Sequence, residues 1–253
     1  RDANTFELDE DGLLEAARDP RAALVVVTSP NNPTGNLTSV DFVRKLAQAT
    51  SALVLVDEAY AEFCDAQASC VPLVAELPNV CVLRTMSKAY SLAGARVGYL
   101  ICPDDVADAM LAVRLPYSVN RMSQVVAETV VEMRAEFAPV IEAVREERSR
   151  LTEALENLAT ELAASLPDGA DGLRVWPSEA NFVMVRFPGQ ASGLPCADEM
   201  HELLAADSIL VRNFSHTPGL EGCLRISVGK PEEDDELLAS LRRHLGLSER
   251  PIQ

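Results

Sequence analysis

A primary amine set among small and hydroxylated residues is the chemical centre of this sequence. Lys88 stands in Arg84-Thr85-Met86-Ser87-Lys88-Ala89-Tyr90, directly after the apolar run Val80-Cys81-Val82-Leu83. That composition describes a buried strand ending in a turn, where open α/β sheets gather their ligands. Taken alone, Lys88 reads as a loop lysine. Its neighbours change the reading: Thr85 and Ser87 offer hydroxyls, and Arg96, eight residues beyond the lysine, offers a rigid positive fork suited to a phosphate. An amine able to condense with an aldehyde, beside a phosphate anchor, is what pyridoxal 5'-phosphate chemistry requires. Arg225 poses a second question, since it sits between Leu224 and Ile226 in an apolar strand pattern. An unpaired guanidinium is costly there, so the position asks for an anion.

Alternating apolar runs and helical segments must position these groups. Residues 22–27 form an unbroken apolar run, suited to a parallel strand covered on both faces. Residues 28–35 carry Pro30, Pro33 and Gly35, a turn that sets Asn32 at that strand's carboxyl end. Thr38-Ser39-Val40-Asp41 predicts the cap of a helix to about Ala49; residues 53–56 form the next strand, closed by Asp57 with Tyr60 three residues on. Further strands are predicted at 80–83 and 97–102. The pattern predicts an α/β fold with a mostly parallel, doubly wound sheet. Pro103 opens a helix to about Arg114, with Asp104 and Asp105 in its first turn. Residues 122–166 read as connecting helices: Val125, Val126, Thr129, Val130 and Met133 are spaced for one buried face. Pro139 starts or kinks a second helix that turns Ile141, Val144, Leu151, Leu155 and Leu158 inward. Residues 167–172 mark a boundary. Strands near 173–176, 181–187, 209–212 and 223–227, with helices near 197–206 and 233–245, predict a smaller α+β domain. The expected organisation is therefore a large domain at 1–121, helices at 122–166 and a small domain at 167–253.

With 22 basic and 39 acidic residues among 253, the formal charge is −17. Nucleic acid, whose phosphates reward a basic face, is excluded as a partner; small anions can still be held by local arginines against the overall field. The six cysteines include no Cys-x-x-Cys pair and no histidines at zinc spacing, which predicts reduced, buried thiols and no metal site. No apolar run reaches the length of a membrane span, and Arg1-Asp2-Ala3-Asn4 does not open a signal peptide, so a cytoplasmic location is expected. His201, His216 and His244 read as solvated or local partners, since the chemistry centred on Lys88 needs no imidazole.

Several words of the sequence occur together elsewhere. They are Ser29-Pro30-Asn31-Asn32-Pro33-Thr34-Gly35, Val56-Asp57-Glu58-Ala59-Tyr60-Ala61-Glu62-Phe63, Arg84 to Tyr90 with Arg96, Leu210-Val211-Arg212-Asn213 and Leu224-Arg225-Ile226-Ser227-Val228-Gly229. In this order they resemble the fold-type I aminotransferases, and among them are most similar to the histidinol-phosphate aminotransferases. The resemblance implies that Lys88 binds pyridoxal phosphate covalently and shuttles the substrate's proton. It implies that Asp57 pairs with the pyridine nitrogen, that Tyr60 and Asn32 hold the phenolic oxygen, and that Arg96, Ser87 and Thr85 hold the phosphate. Arg225 and Arg212, with Asn32, would bind the substrate's carboxylate or phosphate, and Asn181 and Tyr117 would shape the pocket. Each residue alone has a plainer reading: Asp57 as a helix cap, Tyr60 as core, Asn32 as a turn residue, Thr85 as a strand end, Arg212 as a rim ion pair.

The implied reaction is transamination of histidinol phosphate with 2-oxoglutarate, giving imidazole-acetol phosphate and glutamate, in a homodimer. A related aromatic aminotransferase, a threonine-phosphate decarboxylase, or a truncated, catalytically silent module of the same fold stand as alternatives. The family's opening segment, which carries a glycine-rich phosphate turn, an aromatic ring over the cofactor and a tyrosine reaching the neighbouring subunit, has no counterpart here. An incomplete sheet with exposed apolar surface is therefore expected.

Overall fold

A computed structural model describes residues 1–115, 117–167, 170–189 and 193–248. The chain forms two compact units: the first gathers Arg1, Glu7–Asn32 and Asn36–Glu142, and the second gathers Asp2–Phe6, Pro33–Gly35 and the residues from Ala143 onward. The division falls within the segment expected to connect two domains.

In the first unit, helix α1 (Glu10–Ala17) is capped by Asp9, whose carboxylate accepts from the Gly12 amide. Strand β1 (Leu24–Thr28) leads to α2 (Val40–Ala49), capped by the Ser39 hydroxyl, which accepts from the Phe42 amide at 3.1 Å. There follow β2 (Leu53–Asp57), the single turn α3 (Val71–Val74), β3 (Val80–Thr85) and β4 (Gly98–Ile101). The sheet runs β1-β2-β3-β4, with the first three strands parallel and β4 antiparallel to β3. Val25, Val54 and Val80 lie side by side, as do Val27, Val56 and Val82, and this face packs on Leu14, Phe42, Val43, Leu46 and Leu73 from α1, α2 and α3. The opposite face of β1 is open: Leu24 and Val26 are each 54% exposed. The expectation that this strand is covered on both faces is thus corrected, because α1 to α3 supply only one layer. The open side is the exposed apolar surface expected of an incomplete sheet.

Helices α4 (Asp104–Val113) and α5 (Arg121–Glu132) follow, and then α6 (Arg134–Ser165). α4 buries none of its residues, and α5 buries only Ser123 and Val130. Val125, Val126 and Met133, expected in one buried face, are exposed. Their spacing marks the side of the helix that favours cover, which the described residues leave open. Pro139 lies inside α6 instead of opening it.

The second unit takes Leu151, Leu155, Leu158 and Leu162 of α6 as the spine of its core. To these it adds β5 (Arg174–Trp176), β6 (Phe182–Arg186), α7 (Ala197–Ala206), β7 (Arg212–Asn213), β8 (Cys223–Ser227) and α8 (Pro231–His244). The strand expected at 209–212 is thus confined to β7, with Leu210 exposed. The strands form an antiparallel sheet in the order β5-β6-β8-β7. Alternation sorts the faces: Val183, Val185, Leu224 and Ile226 meet the leucines of α6 and α8, while Trp176, Met184 and Cys223 meet Phe6. Residues 2–6 are tied to this second face, since Trp176 Nε1 donates to the Asn4 carbonyl at 3.1 Å and Arg186 Nη2 to the Ala3 carbonyl at 2.9 Å. The Phe6 and Trp176 rings stack with centroids 4.5 Å apart. Gly35 has φ +80°, and a side chain there would sit 2.9 Å from Ser178 Cα, so only glycine fits. Among the described residues no helix is long and apolar enough to cross a membrane, and no group of His, Cys, Asp and Glu is arranged to hold a metal.

Candidate active site

The carboxyl ends of β2 and β3 open at one edge of the first sheet because the two strands are parallel. Asp57 is in register with Leu83, so its side chain shares a sheet face with Thr85, two residues further along β3. Beyond β2 the chain turns sharply, with the Asp57 carboxylate accepting from the Ala59 amide at 3.1 Å. Asp57 thus braces the turn and caps no helix, since the short helical turn Ala61–Phe63 has Tyr60 at its cap position. The turn buries Tyr60, whose hydroxyl accepts from Asn32 Nδ2 at 3.3 Å. Lys88 Nζ lies 5.4 Å from the centroid of the Tyr60 ring. Asn32, Tyr60 and Lys88, far apart in sequence, are thus brought together.

The connection from β3 to β4 carries the remaining groups. Thr85 Oγ1 donates to Ser87 Oγ at 3.0 Å and accepts from the Ser87 amide at 3.1 Å, which gathers both hydroxyls at the strand end. Arg96 has φ 56° and ψ 43°, a left-handed conformation that costs an arginine about 1 kcal/mol. Its exposed guanidinium donates to the Ala93 carbonyl at 3.3 Å. Among the described residues neither Lys88 nor Arg96 forms an ion pair, in a chain of formal charge −17. The connection thus carries two cations outside any ion pair and two hydroxyls, the donor types that an aldehyde and a phosphate call for.

Beneath this edge lies a buried ionic network whose role the sequence reading did not identify. Glu58, 1% exposed, receives the Arg84 guanidinium at 2.7 Å; Arg84 also donates to Glu62 at 2.9 Å and to Ser69 Oγ at 3.0 Å. The Ser69 hydroxyl and the Cys70 amide donate to the remaining positions of the Glu58 carboxylate. Burial pulls the Arg84 pKa down, but Glu58 and Glu62 more than offset it and leave the guanidinium above its ordinary value. The network ties the turn after Asp57 to the strand that delivers Thr85, Ser87 and Lys88. Its signal was an arginine closing an apolar strand run, with two acids four residues apart near the preceding strand's end.

The second unit holds Arg212 and Arg225 directly opposite each other on β7 and β8. Both guanidinia lie against the Phe214 ring, at 5.9 and 5.8 Å, and Arg225 also lies 4.8 Å from the Phe182 centroid. Asn181 lends its carbonyl to the Val228 amide, and Tyr117 is 97% exposed at φ 64°. His244 bonds Asp207 at 2.7 Å; the Ser240 hydroxyl and then His244 hold that carboxyl down at about 2. His216 stands 3.6 Å from Asp198 and is exposed.

The profile of aminotransferases of class I and II matches residues 1–241. Histidinol-phosphate aminotransferase of Chlorobium luteolum is 38% identical over 240 residues, a match spanning 95% of this chain and 62% of that protein. The protein of the same name from Roseiflexus castenholzii is 38% identical over 237 residues, 94% of this chain and 59% of the relative. The chain thus spans less than two thirds of the length of these curated relatives. In three dimensions it resembles histidinol-phosphate aminotransferase from Sinorhizobium meliloti in complex with pyridoxal-5'-phosphate. That likeness has a TM-score of 0.77 at 30% identity and covers 94% of this chain and 61% of the other. The chain belongs to the class I and II aminotransferases.

Proposed function

We propose that this chain provides the pyridoxal-phosphate site of a homodimeric transaminase that moves the amino group of histidinol phosphate to 2-oxoglutarate. The observation that carries the reading is the Lys88 amine, uncommitted to any acid among the described residues and set over the Tyr60 ring on the loop that also bears Arg96. Arg96 and the hydroxyls of Thr85 and Ser87 would take the cofactor's phosphate by charge-assisted bonds. Asp57 would keep the pyridine nitrogen protonated, and Asn32 Nδ2 with the Tyr60 hydroxyl would hold the phenolic oxygen. When bound, pyridoxal phosphate supplies an aldehyde and a ring that withdraws the electrons of the substrate's Cα–H bond. Lys88 Nζ serves as the base that removes the Cα proton and returns it. The opposed Arg212 and Arg225 support a phosphorylated substrate, because a guanidinium presents the planar donor fork that matches phosphate oxygens. The relatives' names point to the same substrate.

The test starts with cofactor capture. Incubation of the chain with pyridoxal phosphate, reduction with borohydride and peptide mapping should place the label on Lys88, and Lys88→Ala should take none. Turnover is then compared among histidinol phosphate, phenylalanine and threonine phosphate. Absence of label on Lys88 overturns the cofactor reading, and no preference for histidinol phosphate overturns the substrate reading.

A further inference from the structure

The arms joined by the Lys88 loop are β3 and β4. In their register Val82 faces Ile101, Leu83 faces Leu100 and Thr85 faces Gly98; β4 ends at Ile101, and extending the register one residue past the Val82–Ile101 pair sets Cys81 opposite Cys102. Hydrogen bonding identifies the kind of pair this is. The Met86 amide donates to the Val97 carbonyl at 3.1 Å, so 86 and 97 form a hydrogen-bonded pair. Alternation then makes 85 with 98, 83 with 100 and 81 with 102 non-hydrogen-bonded pairs. Such pairs hold their Cα atoms about 4.5 Å apart, with both side chains on one face of the sheet. A disulfide accepts Cα separations of roughly 4.4–6.8 Å. Both thiols are free. Burial first, and then the neighbouring Cys102, push the Cys81 thiol above its ordinary range, so the two sulfurs sense one another.

We propose that Cys81 and Cys102 are a redox pair that forms a reversible disulfide, stapling β3 to β4 at the foot of the Lys88 loop. The oxidant is a peroxide. Cys102, half-buried where Cys81 is only 3% exposed, meets it first. Its thiolate attacks one peroxide oxygen, the O–O bond breaks, and a sulfenic acid and hydroxide result. The Cys81 thiolate then attacks the Cys102 sulfur; the S–S bond forms as the S–O bond breaks, and a second hydroxide leaves. With the two thiol protons the balance is two thiols and one peroxide to one disulfide and two waters, sulfur being oxidised and peroxide oxygen reduced. Closing the bond encloses residues 82–101, with Lys88 and Arg96 inside, and restrains the strands that carry them.

The test uses the whole chain without added cofactor, so its result is independent of the functional reading above. After hydrogen peroxide treatment, remaining thiols are alkylated and the protein is digested without reductant for mass spectrometry. The expected product is a joined peptide containing Cys81 and Cys102, two hydrogens lighter than its parts. Dithiothreitol should make both residues alkylatable again. Bond formation should quicken as pH rises through the thiol range, since Cys81 must ionise. Cys102→Ser should leave Cys81 alkylatable, while Cys196→Ser should leave the joined peptide unchanged. Cys102 advancing to sulfinic acid with Cys81 still alkylatable, or joined instead to a second chain, overturns the proposal.

Discussion

Replacing Arg84 with methionine keeps much of its stem and removes the only cation in contact with Glu58 among the described residues. Four contacts of 2.7–3.0 Å disappear, two to Glu58 and one each to Glu62 and Ser69. Glu58, 1% exposed, keeps two neutral donors, the Ser69 hydroxyl and the Cys70 amide. A buried charge that loses its partner costs about 3–5 kcal/mol, a large share of a domain's stability. Adding Glu58→Gln should recover part of the loss, and the double-mutant cycle should give a coupling of about 2 kcal/mol or more. The one tryptophan, Trp176, lies in the other unit. The suitable assay is amide hydrogen exchange of β2 and β3 in denaturant, read beside borohydride trapping at Lys88. An Arg84→Met protein within 1 kcal/mol of the parent, or a cycle with no coupling, would refute the view that the network binds these two strand ends together.

In the second unit Asp234 is 3% exposed; burial first, and then its neighbour Glu147, raise its carboxyl to about 7, with the Gly229 amide and Arg150 opposing. The native state therefore holds that proton more tightly than the unfolded chain, and stability should fall as pH rises from about 4 through 7, with a slope of up to about 1.4 kcal/mol per pH unit. Asp234→Asn should flatten this dependence and raise stability at pH 8, as measured by urea titration followed at Trp176. Gly35→Ala should cost about 2 kcal/mol or more, since it places a side chain against Ser178 at φ +80°; a neutral result by thermal unfolding would contradict that packing. Leu155→Ala, at a fully buried position of α6, should cost about 2–5 kcal/mol in the same urea titration.

Much of the architecture was legible from runs of apolar residues and their punctuation. The stretch Thr38 to Asp41 announced α2, with Ser39 as the residue that caps it, and Lys88 stood out because its neighbours suit phosphate rather than carboxylate. The direction of β4 was not legible from its apolar composition, which is the same for parallel and antiparallel neighbours. The connection between 85 and 98 held the clue, since it has no full helix with which to carry the chain back for a parallel return. Leu24 and Val26 misled for a related reason: a continuous apolar run states what a strand would accept on each face, and says nothing about how many layers arrive. Glu58 and Arg84 were visible as charges but not as partners, because their meeting depends on β2 and β3 lying side by side.

The tethering of residues 2–6 bears on how the protein can be dissected. A fragment cut between 142 and 143 would discard Phe6, together with the carbonyls that receive Trp176 and Arg186, and so uncover one side of the β5-β6-β8 sheet. During synthesis those five residues wait for a strand that is made some 170 residues later. An autonomous C-terminal piece would need the opening peptide supplied in trans, or grafted on through a linker.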